Sequence, residues 1–254
     1  MTTKILNKTL IRRVIFSPIT ALHGIALIFR HALFDKGFIT SQHAVIPTLV
    51  IGNIHAGGTG KTPHASALLN IFAARLGGAE NVALLSRGYG RRSKGFKWVQ
   101  EHEDWREFGD EPFLLKQLHP KHPIAVSENR LSGVALIQRD KPHVRLVILD
   151  DGLQHRKLIP HKSIVLLDAQ RPLNQEALIP GGSLRDLKSR VTKFDAVIFS
   201  RAELSLGTGK SIFSSEMIAK MSQQSAREKS AKTRVLAVSG IAEPERFMKD
   251  LASE

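Results

Sequence analysis

An α/β fold, a mostly parallel sheet flanked by helices, is the architecture this 254-residue sequence predicts. Three observations carry the prediction. Short apolar runs alternate with helical patterns from residue 45 onward. The informative polar motifs come directly after those runs, at the strand ends where open parallel sheets place ligands. One of these motifs, Ala56-Gly57-Gly58-Thr59-Gly60-Lys61-Thr62, lies between a strand-like run and a helix-like one.

In chain order, residues 1–44 form a basic segment. They hold Lys4, Lys8, Arg12, Arg13, Arg30 and Lys36 against Asp35 alone, a net charge of +5. Ser17-Pro18 reads as an N-cap followed by proline at the first helical position. In the apolar stretch after it, Leu22, Ile25, Ala26, Phe29 and Leu33 share one helical face. No residue from Val14 to Phe29 is formally charged. That stretch falls short of the roughly 20 residues needed to span a bilayer. The basic flanks favour a helix lying in a membrane interface; packing on the protein's own core is the alternative.

Strands are expected at 45–51, 82–85, 123–126, 144–149, 163–167, 194–199 and 234–238, and helices at 61–76, 110–118, 129–138, 184–190 and 211–223. Residues 88–109 read as a polar loop in which Phe96 and Trp98 alternate as in a short hairpin. Residues 169–182, rich in proline and glycine, read as an extended loop. The core thus covers 45–222. Residues 223–254 read as a linker and the opening of a smaller second lobe.

The composition suits an ordinary folded protein, 42% hydrophobic and without low-complexity tracts. There is no cysteine, which excludes disulfides and thiolate metal sites. No secretory cleavage site follows the N-terminal apolar run. The net charge of +14 seeks anions: acidic lipid, phosphorylated substrate or nucleic acid. The basic residues are not interleaved with aromatics as in single-strand nucleic-acid platforms, but charge alone does not choose between membrane and nucleic acid.

Strand, glycine-rich loop and helix in sequence predict a P-loop NTPase-like core. The glycines let backbone N–H groups face an anion, and the helix N-terminus adds a favourable dipole. Lys61 would reach the terminal phosphates and the Thr62 hydroxyl would bind magnesium. His55 stands where the usual pattern has its first glycine. Asp150-Asp151, at the end of the 144–149 run, suits magnesium coordination beside such a loop; a solvated acidic turn is the alternative. Asp110 could cap the helix that it opens, or accept a proton from an acceptor hydroxyl. Ser86-Arg87-Gly88-Tyr89-Gly90-Arg91, Arg130 and Arg185 offer guanidinium forks for phosphate, or only basic surface.

These motifs together resemble the tetraacyldisaccharide 4′-kinase family, from about residue 15 to the end. The residues that carry the resemblance are Gly52-Asn53 with the glycine loop and Pro63, Ser86–Arg91, Gly109-Asp110-Glu111-Pro112, Asp150-Asp151-Gly152-Leu153-Gln154-His155, Ile179-Pro180-Gly181-Gly182-Ser183-Leu184-Arg185, Val238-Ser239-Gly240-Ile241-Ala242 and Pro244-Glu245-Arg246-Phe247. The resemblance implies transfer of the ATP γ-phosphate to the 4′-hydroxyl of tetraacyldisaccharide 1-phosphate, giving lipid IVA in lipid A biosynthesis. It implies ATP and Mg2+ as cofactors, bound through Ala56, Gly57, Gly58, Thr59, Gly60, Lys61 and Thr62. Thr62, Asp150, Asp151 and Glu111 are implied at the metal. Asp110, Lys61, Arg130 and Arg185 are implied in catalysis, and Gln154 and His155 near the reacting groups. The N-terminal helix resembles the family's interfacial anchor, which implies the anionic cytoplasmic face of a Gram-negative inner membrane. On this resemblance no nucleic-acid partner is expected. Asp186 stands where the family more often has glutamate. Family members continue further and carry a histidine that partners the catalytic aspartate. No histidine follows His161 here, so a truncated, catalytically impaired nucleotide-binding module is the alternative expectation.

Overall fold

The computed structural model describes residues 10–200 and the backbone of 212–214. Its centre is an eight-stranded sheet, with β1 (Gln42–His43) and β7 (Leu158–Ile159) pairing separately as a small parallel sheet. The main sheet holds β2 (Thr48–Asn53), β3 (Val82–Ser86), β4 (Lys97–Trp98), β5 (Ile124–Val126), β6 (Leu146–Asp150), β8 (Lys162–Asp168), β9 (Ala196–Ser200) and β10 (Ile212–Ser214). Their spatial order is β10-β9-β8-β2-β6-β3-β5-β4, and every pairing is parallel except β4 on β5.

Period-two geometry explains why the strands read as continuous apolar runs. Leu49, Ile51, Val82, Leu84, Leu146, Ile148 and Leu166 enter the core on one face. Val50, Ala83, Leu85, Val147, Leu149, Val165 and Leu167 enter the core on the other. A parallel sheet covered on both sides needs apolar residues at every position. Helix α2 (Lys61–Leu76) supplies Ala65 and Leu69 to the first core, and α3 (Asp110–Leu118) supplies Leu115. Helix α4 (Arg130–Asp140) supplies Val134 and Ile137 to the second.

Helix α1 (Ser17–Asp35) is arranged differently. Leu22, Ile25 and Phe29 are 68%, 63% and 64% exposed. Its polar side faces the body. His23 Nδ1–H donates to the Ile179 carbonyl at 2.9 Å, Thr20 Oγ1 accepts from the Gly181 N–H at 3.0 Å, and Arg30 donates to the Gln154 carbonyl at 2.7 Å. Among the described residues, no helix is long and apolar enough to cross a membrane.

The structure corrects several local expectations. Ser17 is not the N-cap of α1. Residues 10–15 are already helical, Phe16 occupies the cap, and Ser17 Oγ donates back to the Val14 carbonyl. Of the helix expected at 184–190, residues 184–187 are not helical. Leu184 is fully buried and bridges His55 and Leu178, while Arg185 N–H donates to the Ile54 carbonyl at 2.7 Å, so this backbone spends its hydrogen bonds on neighbours. A 3-10 turn at Lys188–Lys193 follows. Residues 212–214, expected to be helical, extend the sheet beside β9, where Ile and Phe suit a strand. Phe96 and Trp98 do not form a hairpin of their own; β4 pairs with β5. The expected strand at 234–238 and the proposed second lobe at 223–254 lie outside the described residues.

Candidate active site

Strand β2 ends in Asn53, and the glycine loop runs from there to Lys61, the first residue of α2. Gly57 and Gly60 have φ of 100° and 78°, backbone that an L side chain adopts only with strain. Buried Asn53 shapes the loop. Its amide donates to the Gly57 carbonyl at 3.3 Å and to the Thr59 hydroxyl. His64 Nδ1–H donates to the Gly60 carbonyl at 2.6 Å. Burial holds the His64 imidazole neutral, with its pKa down to about 4. His55 is fully buried and paired with Leu184, and Ala56 N–H donates to the Ser183 carbonyl at 2.6 Å. The position of the usual first glycine is therefore filled by a packed side chain, and a neighbouring segment braces the loop.

Asp150 lies level with Ile51 in the adjacent strand β6, beside the start of the loop. It is fully buried, and burial pushes its carboxyl up to about 7, aided by the charges of Glu111 and Asp151 and opposed by Lys61 and Arg130. Asp150 Oδ2 accepts weakly from Ser86 Oγ at 3.5 Å, and Oδ1 is buried with no protein partner. A hard cation with oxygen ligands fits that orphaned oxygen, and Thr62 is the second residue of α2. Asp151, with φ of 51°, receives both arms of the Arg185 fork at 3.1 and 3.2 Å. Arg185 also donates to Asn53 Oδ1. Arg130 is buried beneath the site and donates to the carbonyls of Ser127 and Asp150. Burial lowers its pKa to about 10, leaving it a cation at neutral pH.

Asp110 and Glu111 open α3. Gly109, with φ of 90°, occupies the cap, so Asp110 is not the capping residue; its Oδ1 accepts from the Glu111 N–H at 2.9 Å and the side chain stays exposed. A Cβ on Gly109 would meet the Tyr89 carbonyl at 2.9 Å, and one on Gly88 would meet the Phe108 carbonyl at 2.4 Å. The two glycines let the turn after β3 press against the start of α3. Desolvation raises the Glu111 carboxyl above its ordinary value; Lys61 opposes the shift, and Asp110 and Asp151 reinforce it.

The structure therefore gathers Lys61, Glu111, Asp150, Asp151, Arg130 and Arg185 into one electrostatic cluster beside the glycine loop. Asp110 stands at its rim through Glu111. Arg130 and Arg185 brace carboxylates and carbonyls instead of projecting as free forks. In sequence, Asn53 stands out only as part of a motif and His64 does not stand out at all. An asparagine ending an apolar run shortly before a glycine loop is the available signal for Asn53. His64, four residues after Gly60 in a helical pattern, offered little.

Comparison with known proteins bears on the family and the fold. A family model described as tetraacyldisaccharide-1-P 4′-kinase matches residues 12–254. A tetraacyldisaccharide 4′-kinase of Cytophaga hutchinsonii is 37% identical over 190 residues, 74% of this chain and 53% of that protein. One of Porphyromonas gingivalis is 32% identical over 256 residues, 92% of this chain and 70% of that protein. A crystal structure of LpxK from Aquifex aeolicus in complex with ATP superposes with a TM-score of 0.72 at 33% identity, covering 80% of this chain and 64% of that one. The chain spans about half the length of several curated relatives that it matches.

Proposed function

The chain belongs to the tetraacyldisaccharide-1-P 4′-kinase family, and on that premise we propose that it uses ATP to phosphorylate the 4′-hydroxyl of tetraacyldisaccharide 1-phosphate, giving lipid IVA. The observation that carries this reading is the pairing of the glycine loop, with Lys61 and Thr62, and the buried carboxylate of Asp150 at the carboxyl ends of neighbouring strands. The ATP seen with the Aquifex relative is consistent with it.

The loop's N–H groups and Lys61 hold the β- and γ-phosphates. Thr62 and Asp150, with Asp151 and Glu111 close by, would hold magnesium, which would supply neutralisation of phosphate charge. Asp110 takes the proton from the 4′-hydroxyl as its oxygen bonds to the γ-phosphorus and the bond to the β-phosphate oxygen breaks, releasing ADP. Arg130 keeps a positive charge beneath the site, and Arg185 fixes Asp151. Positioning and electrostatics supply most of the acceleration.

The outward apolar side of α1 supports a second part of the proposal. The helix lies in the interface of an anionic membrane, at the cytoplasmic face of a Gram-negative inner membrane, where the acylated substrate resides. The polar contacts beneath the helix hold it to the body while its apolar side is free for acyl chains.

The test is transfer from labelled ATP to tetraacyldisaccharide 1-phosphate in detergent micelles, with Asp110→Ala as control. Phosphorylated lipid that depends on Asp110 supports the reading. ATP binding without any product would identify a nucleotide-binding module in its place.

A further inference from the structure

The contacts of α1 do not end at the surface of the body. His31, on the inward side, is buried, and its Nε2–H donates to Asp186 Oδ1 at 2.7 Å. Its Nδ1 accepts from Arg156 Nη1 at 3.1 Å, which fixes the neutral tautomer with the proton on Nε2. Burial lowers the His31 pKa, in keeping with that neutral form. The other Oδ1 contact of Asp186 is its neighbour's N–H, from Leu187 at 2.8 Å. The residue before Asp186 is Arg185, whose N–H is tied to the Ile54 carbonyl and whose fork holds Asp151 and Asn53. Asn53 in turn holds Gly57 and Thr59 of the loop. A second path starts one residue earlier in α1. Arg30 donates to the Gln154 carbonyl, and Gln154 Nε2 donates to the Asn53 carbonyl at 3.1 Å. Both paths run through hydrogen-bonded groups from the lipid-facing helix and end on the same asparagine.

We propose that α1 is a structural member of the phosphate site and that His31 is a positioning residue, acting through Asp186 to hold Arg185 on Asp151 and Asn53. The inference rests on the kinase reading of that site. Its physical basis is the geometry of Arg185. One backbone hydrogen bond and one side-chain anchor on the next residue fix its Cα, and removing the anchor frees the fork. Coupling between packed sites commonly amounts to a fivefold to 150-fold change in affinity, roughly 1–3 kcal/mol. A helix that merely covered the body would affect stability alone.

The experiment measures ATP affinity by calorimetry and the KM for ATP against kcat, in the 254-residue chain and in His31→Ala, Asp186→Asn, the double variant, His31→Gln and Arg30→Met. The expected result is ATP binding and KM weakened about fivefold or more in His31→Ala. The double variant is no weaker than the weaker single one, and His31→Gln, which keeps an N–H near Asp186, recovers part of the loss. Arg30→Met weakens ATP binding through the second path. ATP affinity within twofold of the unsubstituted chain, with only a lowered melting temperature, overturns the proposal, and so does full additivity of His31→Ala with Asp186→Asn. If His31→Ala does not fold, Arg30→Met decides. Failure of the unsubstituted chain to bind ATP would sink the kinase reading with it; unchanged binding across the variants sinks this proposal alone.

Discussion

Helix α2 turns Ala65 and Leu69 into the core, both at 0% exposure, whereas α1 turns Leu22, Ile25 and Phe29 outward and faces the body with Thr20, His23, Arg30 and His31. The residue types are the same and their orientation is reversed. In water the first arrangement stabilises the fold by removing apolar area from solvent, while the second leaves that area to be covered by something else. The difference is legible only because the polar partners under α1 are specific, at least partly buried and hydrogen-bonded. An apolar helix with no such partners would roll over and bury its greasy side.

The contrast is open to direct test. Leu69→Ala should destabilise the protein by about 2–5 kcal/mol, read from denaturant unfolding. The comparison breaks if the loss is under about 1 kcal/mol, since α2 would then not be a core helix. At the other end of α2, Lys61→Ala should lower phosphate transfer about 100- to 1,000-fold while leaving unfolding and vesicle binding unchanged, which separates the chemistry of the helix start from its packing. On α1, Phe29→Asn should leave stability within about 0.5 kcal/mol and weaken binding to phosphatidylglycerol vesicles about tenfold to 150-fold, the value of one large side chain removed from an apolar medium. Substantial destabilisation with unchanged vesicle binding would show that this side is covered by protein.

A further expected effect concerns pH. His119 accepts from or donates to Ser66 at 2.6 Å under α2, and burial brings its pKa down to about 4. The unfolded chain therefore takes up a proton near pH 6.5 that the folded chain refuses until about pH 4, and this group's contribution to stability falls as pH drops through that interval. The slope is up to about 1.4 kcal/mol per pH unit. His119→Asn should flatten the pH dependence of unfolding between those limits; an unchanged slope would mean that the imidazole is not desolvated by α2.

The sequence made the sheet readable because each central strand is apolar on both faces, and it made α2 readable to the residue because Gly60 and Gly77, both left-handed, bracket it. The segment 184–190 misled because its spacing suits a helix, while the decisive fact, that Leu184 fills a buried slot beside His55, depends on chain 129 residues away. The pairing of Gln42–His43 with Leu158–Ile159 carries no periodic signal at two residues per strand. At the site, Lys61, Thr62, Asp150 and Asp151 stood out because charge or glycine context marks them. The engagement of Arg130 with carbonyls and of Arg185 with Asp151 and Asn53 could not be read, since an arginine's partners are set by tertiary structure.

The two carbonyls that Asn53 and His64 hold, those of Gly57 and Gly60, bear on selectivity. Each is an acceptor that would otherwise be available to a ligand's donor. With both engaged by protein donors, and with His64 kept uncharged, the loop offers two fewer acceptors to a ligand. A ligand rich in acceptors and poor in donors, such as a polyphosphate chain, matches it along its length. An ammonium or amide ligand of the same size meets donors facing donors. Discrimination of this kind needs no side chain to touch the ligand and costs no rearrangement on binding, because the wrong partners for the wrong ligand have been withdrawn in advance.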